Sequence, residues 1–212
     1  TTGTEYAITN NTCGVIGTKI TIAAAATCTF DVTFSPTSTG AKSDTVTVTY
    51  DDGAATGQTA TAAQTGTGIS AATLAFSPVS KAHGNVTVGA SSAAETFTIT
   101  NSGATSATNV YIALTTGTQF AISNSNCGVI GTKITIAAAG TCAFDITFSP
   151  TSTGAKSDTL TVTYDNGAAA AQTATAAQTG TGISVATLGF SPASKAHGNV
   201  TVGASSAAET FT

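Results

Sequence analysis

The chain contains no arginine, tryptophan or methionine, and only 8% of its 212 residues are charged, against roughly a quarter in an average soluble protein. Its formal charge of −4 and its lack of basic clusters exclude a phosphate-reading surface for nucleic acid. No apolar run is long enough to span a bilayer as a helix. With aromatics at 6%, there is little to stack on sugars or bases. The chain does not begin with Met and carries no recognisable leader, as expected of a mature chain or a stretch of a longer one. Thr, Ala, Gly and Ser dominate instead. Thr favours strands, and Gly and Ser favour turns. Few charges on a Thr-rich surface fit an extracellular protein better than a cytosolic enzyme.

The chain also repeats itself. Thr1–Thr98 aligns with Thr115–Thr212 at a constant offset of 114, without a gap, and 15 of the 98 aligned positions differ. Most changes are mild, such as Tyr6/Phe120, Val32/Ile146, Val46/Leu160 and Asp52/Asn166. Fixed-period self-similarity is the signature of an array. The period is too long for a solenoid unit and suits one small domain with its own core. Function is therefore expected in the array rather than in a single pocket.

Apolar residues alternate with polar ones in segment after segment. Cys142, Phe144, Ile146 and Phe148 alternate with Ala143, Asp145 and Thr147. Leu160, Val162 and Tyr164 alternate with Thr159, Thr161 and Thr163. Period two means strands with one buried face. The same pattern marks Ile134/Ile136, Phe97/Ile99 and Val86/Val88. No segment has a helical period. The runs Ala23–Ala26 and Ala168–Ala171 lack caps and read as loops or strand starts. Asp51-Asp52-Gly53 and Asp165-Asn166-Gly167 each join two strand patterns, as Asn-Gly and Asp-Gly do in tight hairpins. Ser35-Pro36 and Ser149-Pro150 end strands. The fold class is all-β: tandem immunoglobulin-like β-sandwich repeats of 114 residues.

The natural frame starts after Gly-Thr-Gly. Residues 69–182 then form one complete module, residues 1–68 the C-terminal part of another, and residues 183–212 the first strands of a third. The linker Thr179-Gly180-Thr181-Gly182 is short, so the modules are expected to form a stiff string. The cut at Thr212 falls inside a strand pattern, so the ends read as a window on a longer array.

Ala72–Pro78 (ATLAFSP), Gly84–Gly89 (GNVTVG), Glu95–Gly103 (ETFTITNSG), Cys127–Cys142, Phe144–Pro150 (FDITFSP) and Gly180-Thr181-Gly182 together resemble the bacterial choice-of-anchor D repeats, which are Hydin-like or ASH domains of the immunoglobulin-like class. The resemblance implies a seven- to nine-stranded sandwich in large, repetitive, secreted or surface proteins of bacteria. His83 and His197 stand where that family more often has a core aromatic. Their strand is therefore expected to pack differently or to face solvent.

The cysteines fall one pair to a module, Cys13 with Cys28 and Cys127 with Cys142. That is the arithmetic of one disulfide per module, and a disulfide implies an oxidising compartment. Free thiols are the alternative. A metal site would need more ligands than two Cys and one distant His. The lone histidine of each module lacks a nucleophile and an orienting acid, so it reads as a strand residue rather than a catalyst. Asp51-Asp52-Gly53 suggests turn chemistry before calcium, which needs six to eight oxygens, and Asn166 replaces one acid in the second copy. Asn10, Asn85 and Asn199 match the N-glycosylation pattern. Paired carboxylates, phosphate loops and nucleophile elbows are absent from the sequence, and neither a cofactor nor a resident metal is expected.

The leading reading is a non-catalytic structural segment of a long extracellular fibre, stalk or surface filament. Its partners are neighbouring copies of the same repeat, within the chain or head-to-tail between chains. A second reading is a self-assembling subunit in which residues 183–212 of one chain supply strands to residues 1–68 of the next. Residues equivalent to Ile99–Leu114 would then be missing from the completed module. A third reading is a surface adhesin that binds glycan or protein through its loops.

Overall fold

The computed structural model describes residues 4–212, which hold thirteen strands and, among the described residues, no helix. Nine strands between Leu74 and Ile183 form a complete sandwich. They are β5 (Leu74–Ser77), β6 (Ser80–Thr87), β7 (Glu95–Asn101), β8 (Ala107–Leu114), β9 (Phe120–Ser123), β10 (Ile134–Ile136), β11 (Thr141–Phe148), β12 (Gly154–Asp165) and β13 (Gln172–Ile183). One sheet has the order β10-β8-β12-β13-β6 and the other β5-β7-β11-β9. The period-two residues are the ones that face inward. Phe97, Ile99, Phe144, Ile146, Phe148, Leu160 and Val162 are fully buried in one core, as strands with one wet face require.

The chain changes sheet between β5 and β6. Pro78 has no amide hydrogen to give to a ladder, so β5 stops at Ser77. The chain then crosses to the other sheet, where β6 runs parallel to β13 while every other strand pairing among the described residues is antiparallel.

Residues 4–68 contain β1 (Tyr6–Thr9), β2 (Asp31–Phe34), β3 (Gly40–Tyr50) and β4 (Gln58–Gly68), paired as two hairpin-like ladders. Their register repeats that of β9, β11, β12 and β13 at the offset of 114. Tyr50 faces Gln58 as Tyr164 faces Gln172, and Gly40 faces Gly68 as Gly154 faces Gly182. Residues 184–212 contain no strand, although they carry the strand patterns of β5 to β7. Strand pairing needs a neighbouring ladder, and there they have almost none. Ser191 and Thr212 exchange two backbone hydrogen bonds of 2.9 and 3.1 Å.

The Asn-Gly signal marks the right place but a different turn. Residues 166–171 make a six-residue loop between β12 and β13 rather than a two-residue hairpin. Asn166 Oδ1 accepts the amides of Ala168 and Ala169, and Asp165 Oδ1 accepts that of Ala171. Side-chain acceptors thus replace the missing ladder bonds. The Ala runs are loops.

Candidate assembly site

The chain comes into the sandwich and leaves it at opposite ends. Gly68 closes the ladder of β4 against Gly40. Two residues later, Ser70 Oγ accepts the Ala104 amide at 2.9 Å, and the Ala72 amide donates to Asn166 O at 3.0 Å. Ile69 is the single residue between the two hydrogen-bonded frames. At the other end, Gly182 pairs with Gly154 and Ile183 with Thr87. Asn166 follows the last residue of β12 and Gly154 is its first. The 12-residue strand therefore separates the two ends by roughly 36 Å, at ~3.3 Å per residue.

The exit end is held by the seam between β6 and β13. His83 Nε2 lies 3.2 Å from Gln178 Oε1, and Nδ1 lies 3.2 Å from Ser92 Oγ. The ring also packs against Phe120 and Phe148, whose own rings stack with centroids 4.8 Å apart. The histidine thus joins the aromatic group and is only half-buried, while both ring nitrogens are satisfied. Burial holds its pKa below the ordinary value. The Gln178 bond opposes that shift, while Lys81 adds to it and Glu95 counters it. Lys81 and Glu95 form an ion pair beside the seam. The Gly89 amide donates to Pro150 O at 3.0 Å and the Ser92 amide to Phe148 O at 2.8 Å, fixing the loop after β6.

Gly180 sits on the same seam for a steric reason. A Cβ there would lie 2.5 Å from the Phe148 ring, and one at Gly66 would lie 2.6 Å from Phe34. The closing Gly-Thr-Gly is therefore a packing device as well as a boundary mark.

The cysteines pair as expected: Cys13 with Cys28 and Cys127 with Cys142, and no described cysteine is free. Cys127 and Cys142 both belong to the buried core. Asp52 Oδ1 accepts the Ala54 and Ala55 amides, and Asp51 Oδ1 accepts the Gly57 amide. The Ala55 and Ala54 bonds hold the Asp52 carboxyl below its ordinary pKa. Among the described residues no three His, Cys, Asp or Glu side chains gather into a group able to hold a metal. Asn85 and Asn199 are exposed, and Asn10 donates from Nδ2 to Asp31 at 2.6 Å. His197 is exposed and bonds Ser206 Oγ at 2.8 Å, as His83 bonds Ser92.

Two buried polar residues carried no signal in the pattern. Asn101 is fully buried. Its Oδ1 accepts the Thr73 and Gly103 amides, and its Nδ2 donates to the carbonyls of Thr105, Ile136 and Ala137. It stitches the start of β5, the end of β7 and the end of β10. Asp158 is also buried. Burial pushes its carboxyl up. Bonds from the Gly117 amide, the Thr116 hydroxyl and the Thr116 and Thr159 amides outweigh that and hold it below its ordinary value. An Asn or Asp within a Thr-rich strand is visible in a sequence, but its inward aim depends on which loops end beside it.

Residues 72–172 match the profile of the family described as "Abnormal spindle-like microcephaly-assoc'd, ASPM-SPD-2-Hydin", abbreviated ASH. The match makes this segment similar to an ASH domain. Among solved structures, the chain is similar to the ASH/PapD-like domain 7 of human CEP192, at 13% identity and a TM-score of 0.40, covering 55% of this chain and 89% of that one. It is also similar to WR4, a C. elegans MSP family member, at 12% identity and a TM-score of 0.36, covering 50% of this chain and 94% of that one. A family 123 glycoside hydrolase from Clostridium perfringens matches at 11% identity and a TM-score of 0.39, over 50% of this chain and 23% of the hydrolase. No curated protein matches the chain. The ASH match starts at Ala72 and ends at Gln172, the first residue of β13.

Proposed function

We propose that this chain is a non-catalytic structural segment of a long extracellular fibre, stalk or surface filament, built from ASH modules joined end to end. The observation that carries the reading is the chain's path. It comes in beside Asn166 and leaves beside Gly154, with Ile69 alone between one module's last ladder pair and the next module's first bonds. Modules joined this way advance along an axis instead of folding back, and so short a junction leaves little freedom to bend. The disulfide in each unit supports a secreted setting, since such bonds persist in oxidising compartments. A bacterial surface as the setting is part of this proposal and is motivated by the sequence resemblance to choice-of-anchor D repeats alone.

Small-angle X-ray scattering of the 212-residue chain tests the path. An extended particle, longer than one sandwich along the strand axis, is expected. A compact particle no longer than a single module would overturn the reading. Thiol alkylation of material taken directly from its native setting tests the compartment. The expected result is no labelling before reduction, and full labelling at that stage would contradict an extracellular site.

A further inference from the structure

Tension along the chain enters the intact module through one strand and leaves it through another, and the two are neighbours. Backward from Ala72, the chain departs at the Asn166 end. Forward from Ile183, it departs at the Gly154 end. β13 runs from the first end to the second, and β6 runs parallel to it. A pull on the chain therefore draws β5 and β6 back toward the Asn166 end and draws β13 the other way. The two paired strands are displaced lengthwise past each other.

Lengthwise displacement stresses every rung of the seam at once. The pairs run from Ser80–Ala177 to Thr87–Ile183, and the Val88 amide adds a bond of 2.9 Å to Ile183 O. Parallel ladder bonds are evenly spaced, so the seam has no wide interval at which to part. His83 and Gln178 add a side-chain rung. Crosswise peeling would break the same bonds one after another. The seam is also the ladder that both loaded strands share. β5 is only four residues long and holds little by itself. β13 is gripped on its other side by β12 from Gly154 to Tyr164. β6 is an edge strand with β13 as its one ladder partner.

Slippage is blocked as well. A strand can slip by two residues and keep each face where it was. Gly180 lies so close to Phe148 that a Cβ would be 2.5 Å from the ring. A two-residue step of β13 under load brings Gln178 to that place, where its side chain has no room. The register also shifts between Thr179 and Thr181, beside Gly84 with its φ of 74°. Such a bulge pins the register of the pair.

We infer that the β6–β13 seam is a shear clamp, the element by which the module bears tension along the chain. The inference rests on the array reading for the source of the load and names what carries it. The clamp itself lies wholly within the intact sandwich.

Single-molecule force spectroscopy of the oxidised 212-residue chain tests this. Handles at the two termini load the seam in shear, and release of the intact module is recognised by a length gain of about 30 nm with its disulfide closed. Moving the first handle to exposed Ala90 puts both at the Gly154 end, where pairs open singly from Thr87–Ile183. At equal pulling speed the unfolding force should be at least about twofold higher in shear than in this peeling geometry. Val86→Ala on β6 and Val110→Ala on β8 remove the same groups from buried positions. Both should lower the urea midpoint, while Val86→Ala alone should lower the shear force. Equal forces in the two geometries, or an equal loss of force in the two variants, overturns the inference. A high shear force beside a compact particle in scattering would keep the clamp and refute the array reading. An extended particle whose module parts at equal force in both geometries would do the reverse.

Discussion

His83 on β6 and Gln178 on β13 face each other across a parallel seam, with Nε2 and Oε1 3.2 Å apart. The seam has a pH dependence of definite sign. Burial lowers the folded-state pKa of His83 below its unfolded value, so the unfolded chain binds the proton more readily. The contribution is fully present above the unfolded value, about 6.5, and is lost as pH falls through the folded value. Denaturant titrations of the chain from pH 8 down to pH 5 should show stability falling on the acid side. His83→Gln should flatten that part of the profile, and an unchanged profile would show that the ring does not titrate with folding.

Asn101 should be among the most sensitive positions of the module. Asn101→Leu keeps the branched outline of the side chain but strands two amides and three carbonyls. Each buried group left without a partner costs about 1–3 kcal/mol, so a loss of about 3 kcal/mol or more is expected. Hydrogen–deuterium exchange should speed up in peptides of β7 and β10. A change under about 1 kcal/mol would mean that water replaces the side chain.

The Cys127–Cys142 bond closes a loop with a sequence separation of 15. The chain-entropy estimate for such a loop is about 3 kcal/mol. Replacing both with Ser in the oxidised chain should lower the urea midpoint of the module by a corresponding amount. Protection of β11 against exchange should fall with it. An unchanged midpoint would show that the surrounding strands fix the loop without the bond.

Gly180→Ala should destabilise the module by about 1–3 kcal/mol through overpacking, because the new methyl would lie 2.5 Å from the ring of buried Phe148. Gly189→Ala has nothing within 4 Å and serves as the control. Equal thermal midpoints for the two variants would refute the close approach.

Most strands were legible because period-two patterning is set by the pleat itself. Cys142–Phe148 and Leu160–Tyr164 lie on β11 and β12 with the expected faces inward. The cysteine pairing followed from the count. What escaped was the detail that neighbours impose. His83 looked like a misfit among core aromatics, yet it enters that group because Gln178 and Ser92 satisfy its nitrogens at the core edge. Asn101 looked like any strand-end Asn until three carbonyls converged on it. The Asp-Asn-Gly loop was longer than its turn signal because Asp165 and Asn166 bond to its backbone.

Residues 13–25 and 127–139 share one sequence, Cys-Gly-Val-Ile-Gly-Thr-Lys-Ile-Thr-Ile-Ala-Ala-Ala. Sequence alone determined their alternation, their disulfide partner and their glycine turns. It did not determine whether they form a strand. Ile134–Ile136 is β10, paired with β8, and Ile136 is 4% exposed. Ile20–Ile22 is irregular, and Ile22 is 51% exposed. The same residues differ because no strand stands beside them in residues 4–68, so their amides find no ladder and their side chains no opposing sheet. Local pattern sets which face a strand would bury, and only a tertiary neighbour can make it one.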